Sequence, residues 1–83
     1  MMIKTAFVAG ATGLTGRLIV HALRRQSIQT IAHVRPDSSR LESWRQSFES
    51  QGAIVSTAQW TTEDMRAALD EHRPDIVFGC LGT

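Results

Sequence analysis

The sequence has no tyrosine, one cysteine (Cys80), two prolines and a single lysine (Lys4). One cysteine excludes an internal disulfide, so covalent staples do not hold this fold. A reducing compartment, the cytoplasm, is the expected setting. Neither sign of charge is in excess: the formal net charge is +1 and charged residues make up 20%. That balance argues against a basic nucleic-acid surface and against a disordered acidic tail. No apolar run approaches the roughly 20 residues needed to span a bilayer, so no membrane partner is expected. Met1–Lys4 leads straight into the first apolar run, and no signal peptide is expected. There is no internal repeat and no low-complexity tract. At 83 residues the chain is sized for one domain.

What is present is organised around Ala6–Gly16, AFVAGATGLTG. The short apolar run Ala6–Ala9 ends in glycine and reads as a buried strand. Gly10, Gly13 and Gly16 follow at equal spacing. From Arg17 to Gln26 apolar residues recur at helical spacing: Leu14, Leu18 and Ala22, with Ile19 and Leu23 beside them. The glycines therefore lie where a strand turns into a helix, the context a dinucleotide-binding loop requires. A diphosphate needs donors, and a helix N-terminus supplies unpaired N–H groups and a positive dipole end. Gly10 permits the turn out of the strand. Gly13 clears space for the pyrophosphate, and Gly16 lets helix and strand pack closely. Leu14 lies inside the same loop. The hydroxyls of Thr12 and Thr15 are candidates to bond phosphate or cap the helix. The spacing is G-x-x-G-x-x-G, and GATGLTG resembles the extended and atypical short-chain dehydrogenase/reductases.

The rest of the chain alternates. Ile28–Val34 reads as a second strand, with Arg35 held extended at its tip by Pro36. Ser39 and Glu42 have capping-box spacing, and Leu41, Trp44 and Phe48 form one apolar stripe of the helix that follows. Gly52 suits the helix stop. Ala53–Ala58 is the third strand, with Gln59 and Trp60 at its exit. Thr61 and Asp64 open a helix over 62–72 that turns Met65, Ala68 and Leu69 inward and Arg66, Asp70 and Glu71 outward. Arg73-Pro74 ends it. Asp75–Leu81 is the fourth strand, with Gly82-Thr83 its exit turn. His21, His33 and His72 lack metal-ligand spacing. His21 and His72 are expected on exposed helix faces, and His33 on a strand with its hydrogen bonds satisfied.

The pattern predicts an α/β fold: the N-terminal βαβαβαβ half of a three-layer, Rossmann-type doubly wound parallel sheet, strand order 3-2-1-4. The ligand crevice is expected at the carboxyl ends of the first and fourth strands.

GATGLTG, HVRP, QGAIV and RPDIVFGCLGT together resemble the NmrA-like and isoflavone-reductase-like branch of the atypical short-chain dehydrogenase/reductases, over nearly the whole chain. The resemblance implies a dinucleotide ligand, NADP(H) before NAD(H). Many such proteins reduce small organic substrates, and some bind the dinucleotide without catalysis as redox sensors. Arg35 stands where an acidic residue would bond the ribose 2′-hydroxyl of NAD, and an arginine there accommodates the 2′-phosphate of NADP. Asp37 could instead be read as the acid of an NAD protein, but it lies beyond Pro36. Arg40 is read equally as a second phosphate donor or a solvated charge. By resemblance, Gln59 takes the place of an acidic residue that faces the adenine. Trp60 either stacks on the base or is an ordinary tryptophan. Gly79, Cys80, Leu81 and Gly82 match backbone passing the adenosine side, with Cys80 itself a small buried hydrophobe.

Such reductases use a tyrosine-lysine pair, or a lysine beyond the fourth strand, as the acid. Neither has a candidate here, so these 83 residues are expected to hold the cofactor half and not the catalytic half. The readings are the cofactor-binding part of an NADPH-dependent reductase, a non-catalytic NADP(H)-binding or sensing module, or a folded remnant that binds nothing. The apolar fourth strand is also expected to present an open edge through which the chain self-associates.

Overall fold

In the computed structural model, which describes residues 3–79, the elements run β1 (Thr5–Ala9), α1 (Leu14–Arg25), β2 (Gln29–His33), α2 (Leu41–Ser50), β3 (Ile54–Ser56), α3 (Thr62–His72) and β4 (Ile76–Gly79). The strands pair in parallel as one sheet in the order β3-β2-β1-β4. This is the Rossmann-type arrangement expected, with β1 and β4 adjacent where the strand order reverses.

Alternation along the strands sorts the core into layers. Val8, Ala32 and Val34 meet Val20 of α1 and Phe48 of α2 on one face. Phe7, Ala9 and Ile31 meet Ala68, Met65 and Leu69 of α3 on the other. The inward residues of α3 and the Leu41, Trp44, Phe48 stripe of α2 are as expected, with Phe48 fully buried. Thr61 Oγ1 accepts the Asp64 N–H at 3.1 Å and caps α3. Gly52, at φ +86°, closes α2 with its N–H on Glu49 O at 2.9 Å.

Several expectations are corrected. Helix α1 starts at Leu14 and not at Arg17, and its inward face is not Leu14, Leu18 and Ala22. Leu14 and Leu18 are 64% and 62% exposed, and Ala22 is exposed too. Gly16 and Val20 are buried, with Ile19 and Leu23 packed on the core. The glycine sets the rotation: once Gly16 must face the strand, Val20 and Leu23 follow it at i+4 and i+7 and the leucines before and after it turn outward. The Ser39–Glu42 capping box is not formed. Arg40 is the N-cap residue, and Ser38 Oγ accepts the Arg40 N–H at 3.3 Å instead. Glu42 pairs with Arg45 at 3.5 Å.

The second and third strands are shorter than expected, Gln29–His33 and Ile54–Ser56, while the first gains Thr5 and the fourth starts one residue later, at Ile76. Strand β3 ends at Ser56, and the Ala58 carbonyl beyond it turns to the His33 ring, 3.0 Å away. Cys80 and Leu81, expected in the fourth strand, lie outside the described residues, as does Gly82.

Two side chains that carried no expectation tie the layers together. Arg24 bonds Gln51 O at 3.0 Å and Ile28 O at 2.9 Å, clipping the ends of α1 and α2. The Asp75 carboxylate accepts the N–H groups of Lys4 at 2.8 Å and Thr5 at 3.0 Å, fastening the start of β4 to the start of β1. Those two donors hold its pKa below the ordinary carboxylate value.

Candidate functional site

Strand β1 delivers the chain to Gly10, which turns at φ +72°. A left-handed φ suits glycine, which has no Cβ to clash. The Ala11 N–H donates to His33 O at 3.1 Å, so the loop is hung on the end of β2. Gly13 is the N-cap of α1, with its own N–H on Gly10 O at 3.4 Å. A Cβ on Gly16 would lie 2.5 Å from Gly10 O and 2.7 Å from Ala11 Cα. Only a bare backbone lets the helix begin this close to the turn.

The result is an open helix end. Among the described residues no acceptor meets the N–H groups of Leu14, Thr15 and Gly16, and no side chain caps α1. The hydroxyls of Thr12 and Thr15 do not cap it. Its first turn carries no acidic residue, whereas α2 has Glu42 there and α3 has Glu63 and Asp64. Unpaired donors at a positive dipole end, with no carboxylate to neutralise them, fit a diphosphate.

The tip of β2 lies beside this loop. Arg35 is exposed and pairs with Asp37 at 3.8 Å. Arg35 O accepts the Ser38 N–H at 3.1 Å, which folds the segment back toward α2. Arg40 is exposed, and its guanidinium lies 5.6 Å from the centre of the Trp44 ring. Arg17, at the first turn of α1, sits 5.5 Å from the same ring centre. The sequence reading missed Arg17. The available signal was a cation placed directly after the third glycine.

Gln59 is exposed at the β3 exit. It borders an open groove of about 590 Å³ between that exit and α3, together with Asp64 and Glu71. Trp60 is 45% exposed and tilts onto His33 with ring centres 5.0 Å apart. His33 also stacks on Phe7 at 6.2 Å. It is buried, and only half of its hydrogen-bonding capacity is used. Nε2–H donates to Ala58 O, while Nδ1 is buried without a partner among the described residues. The expectation of a fully bonded histidine is corrected accordingly. Burial holds its pKa below the ordinary 6.5, and the Ala58 bond opposes that shift. His72 is likewise not the exposed residue expected: its side chain is 18% exposed, 3.2 Å from Glu71. Among the described residues no group of histidine, cysteine and carboxylate side chains could hold a metal ion. None of their helices is long and apolar enough to cross a membrane.

The model of the NAD dependent epimerase/dehydratase family matches residues 6–83. A leucoanthocyanidin reductase solved as a binary complex with NADPH, from Vitis vinifera, is similar over 94% of this chain and 27% of its own, with 30% identity and a TM-score of 0.79. A proposed epimerase from Burkholderia cenocepacia J2315 is similar over 96% of this chain and 25% of its own, with 28% identity and a TM-score of 0.78. The chain thus spans about a quarter of the length of these solved proteins. A comparison with curated proteins finds no match.

Proposed function

The chain belongs to the NAD-dependent epimerase/dehydratase family, and from that membership we propose that it holds NADP(H) as the N-terminal part of a reductase of small organic substrates. The observation that carries this reading is the loop. Gly16 leaves no room for a Cβ, Gly10 turns at positive φ, and the N–H groups that follow meet no acceptor among the described residues. The N–H groups of Leu14, Thr15 and Gly16 would meet the diphosphate, with Thr12 and Thr15 adding hydroxyls and Gly13 keeping the approach clear. Arg35 and Arg40 would meet a 2′-phosphate, and Gln59 and Trp60 the adenine. Cys80, Leu81 and Gly82, outside the described residues, would pass the adenosine. The bound NADPH in the Vitis vinifera reductase supports the phosphorylated cofactor.

The dinucleotide supplies a hydride; the substrate must then receive a proton. The tyrosine, or the lysine beyond the fourth strand, that such reductases use as the acid is not among these residues. There is no tyrosine, and Lys4 lies ahead of β1, at the end of the sheet opposite the loop. On this reading, reduction by such an acid would need a group from outside these 83 residues. The same lack of an acid favours a second reading, a non-catalytic NADP(H)-binding or redox-sensing module. Calorimetric titration tests the binding step. NADPH should bind about tenfold or more tightly than NADH, and Gly13→Val should abolish binding while the circular dichroism spectrum is kept. NADPH consumption by the chain alone should stay at the no-enzyme rate. Equal affinity for the two dinucleotides would overturn the choice of NADP(H).

A further inference from the structure

Helix α3 packs on Phe7, Ala9 and Ile31 of β1 and β2 and leaves β3 beside it uncovered. Ile54, in register with Ile31, is 39% exposed. The gap is the open groove of about 590 Å³ that reaches Gln59. On its helix wall Ala67 and Ala68 have no bulk with which to fill it. Asp64 and Glu71 stand on the same wall, two helical turns or about 10 Å apart. No lysine or arginine lines the groove. Among the described residues no cation pairs with Asp64. Glu71 meets the His72 ring through Oε2, 3.2 Å away, which leaves Oε1 as an acceptor. On the strand side Ser56 is only 9% exposed and lines the groove, yet no hydrogen bond among the described residues uses its hydroxyl. The side-chain bonds of this region, His33 with Ala58 O and Thr61 with the Asp64 N–H, do not involve it.

We propose that this groove is a binding site for a linear aliphatic polyamine, with its terminal ammonium groups on Asp64 and Glu71 and its methylene chain along Ala67 and Ala68. An ammonium has three donors and no acceptor, and a carboxylate gives it a charge-assisted bond. The buried Ser56 hydroxyl supplies an acceptor for an ammonium in the middle of the chain. Carboxylates about 10 Å apart call for two cations joined by a flexible spacer. A monoamine can engage only one end. A compact divalent ion has no seat, because no group of side chains among the described residues could hold a metal. Thin methylene segments suit a wall of alanines, which offers apolar surface without bulk. The glycine loop leads into α1 on the other face of the sheet, so this site does not depend on the dinucleotide.

The test is calorimetric titration of the full chain with spermidine at low ionic strength, where exposed charges are least screened. Asp64→Asn and Glu71→Gln should each weaken binding roughly tenfold. Ala67→Leu, at an exposed helix position, keeps every charge and fills the groove, and it should weaken binding by a similar factor. Asp70→Asn removes an equal charge from α3 outside the groove and should leave the affinity alone. Spermidine that does not bind the parent overturns the proposal. So does equal weakening by Asp70→Asn and Asp64→Asn, or no weakening by Ala67→Leu, since either result means diffuse attraction of cations and not a site. Propylamine binding as tightly as spermidine would overturn the two-ended seat. A peptide of four lysines is the last arm. If it binds and spermidine does not, the groove belongs to a basic segment of a partner protein and the polyamine assignment falls.

Discussion

Strands β1 and β4 lie side by side in register, yet they live in different environments. Phe7 pairs with Val77 and Val8 with Phe78. From Ala6 to Ala9 every residue of β1 is buried, whereas β4 alternates between half-buried and exposed. Composition does not explain this, because Ile76, Val77 and Phe78 are as apolar as Ala6, Phe7 and Val8. Position in the sheet does. Strand β1 is flanked by β2 and β4, while β4 pairs with β1 alone among the described strands. Helices α1 and α2 cover one face of the sheet, and Phe78 packs into that layer. The other face has only α3, whose buried contacts reach Phe7 but leave Val77 49% exposed. One central strand with both faces filled carries the core. Its neighbour is held by backbone pairing and by the Asp75 tether.

The contrast can be broken most severely at its centre. Phe7→Ala should cost about 3–5 kcal/mol, a large part of the stability of a domain this small. Its register partner should be far more tolerant, with Val77→Ala costing less than about 1 kcal/mol. Urea unfolding of the two variants reads the difference. Similar losses would mean that the α3 face is closed over β4.

A smaller effect follows from His33, which backs Phe7 at the end of β2. Its pKa is lowered in the folded state, so the unfolded chain binds the proton more readily. Stability is then fully present above the ordinary histidine value and falls as pH drops through 6.5 toward the lowered value. Urea midpoints should decline between about pH 7 and pH 5, and His33→Asn should flatten that slope. A slope unchanged in the variant would place the titration elsewhere.

The smallest effect on stability is expected from Val77→Lys, within about 0.5 kcal/mol, since the side chain is already half in water. Its effect on association should be larger. An unpaired edge with apolar residues invites another strand, and a lysine blunts it. Sedimentation of the parent should rise with concentration, and that of the variant should not. A parent that stays monomeric at high concentration would show that this edge does not pair.

The order of elements, the parallel sheet and the place of the loop were legible because each rests on local signals: glycine spacing, β-branched runs and helix stops. The stripe of α1 was misread for a definite reason. Leu14, Leu18 and Ala22 have the spacing of a buried face, but the face is chosen by Gly16, which must abut Gly10 O. Ser39 and Glu42 likewise matched a pattern that lost to a competing turn at Ser38.

The sequence by itself determined the glycine turn, the run of strands and helices, and Arg35 at the strand tip, because these depend on neighbours a few residues apart. Only the tertiary structure decided that Arg17 and Arg40 share Trp44, that His33 is buried with one nitrogen unpartnered, and that Asp75 binds the backbone of Lys4 and Thr5. Arg17 and Trp44, like Asp75 and Lys4, are far apart along the chain. Parallel crossovers bring them together, and no local propensity encodes contacts made across that distance.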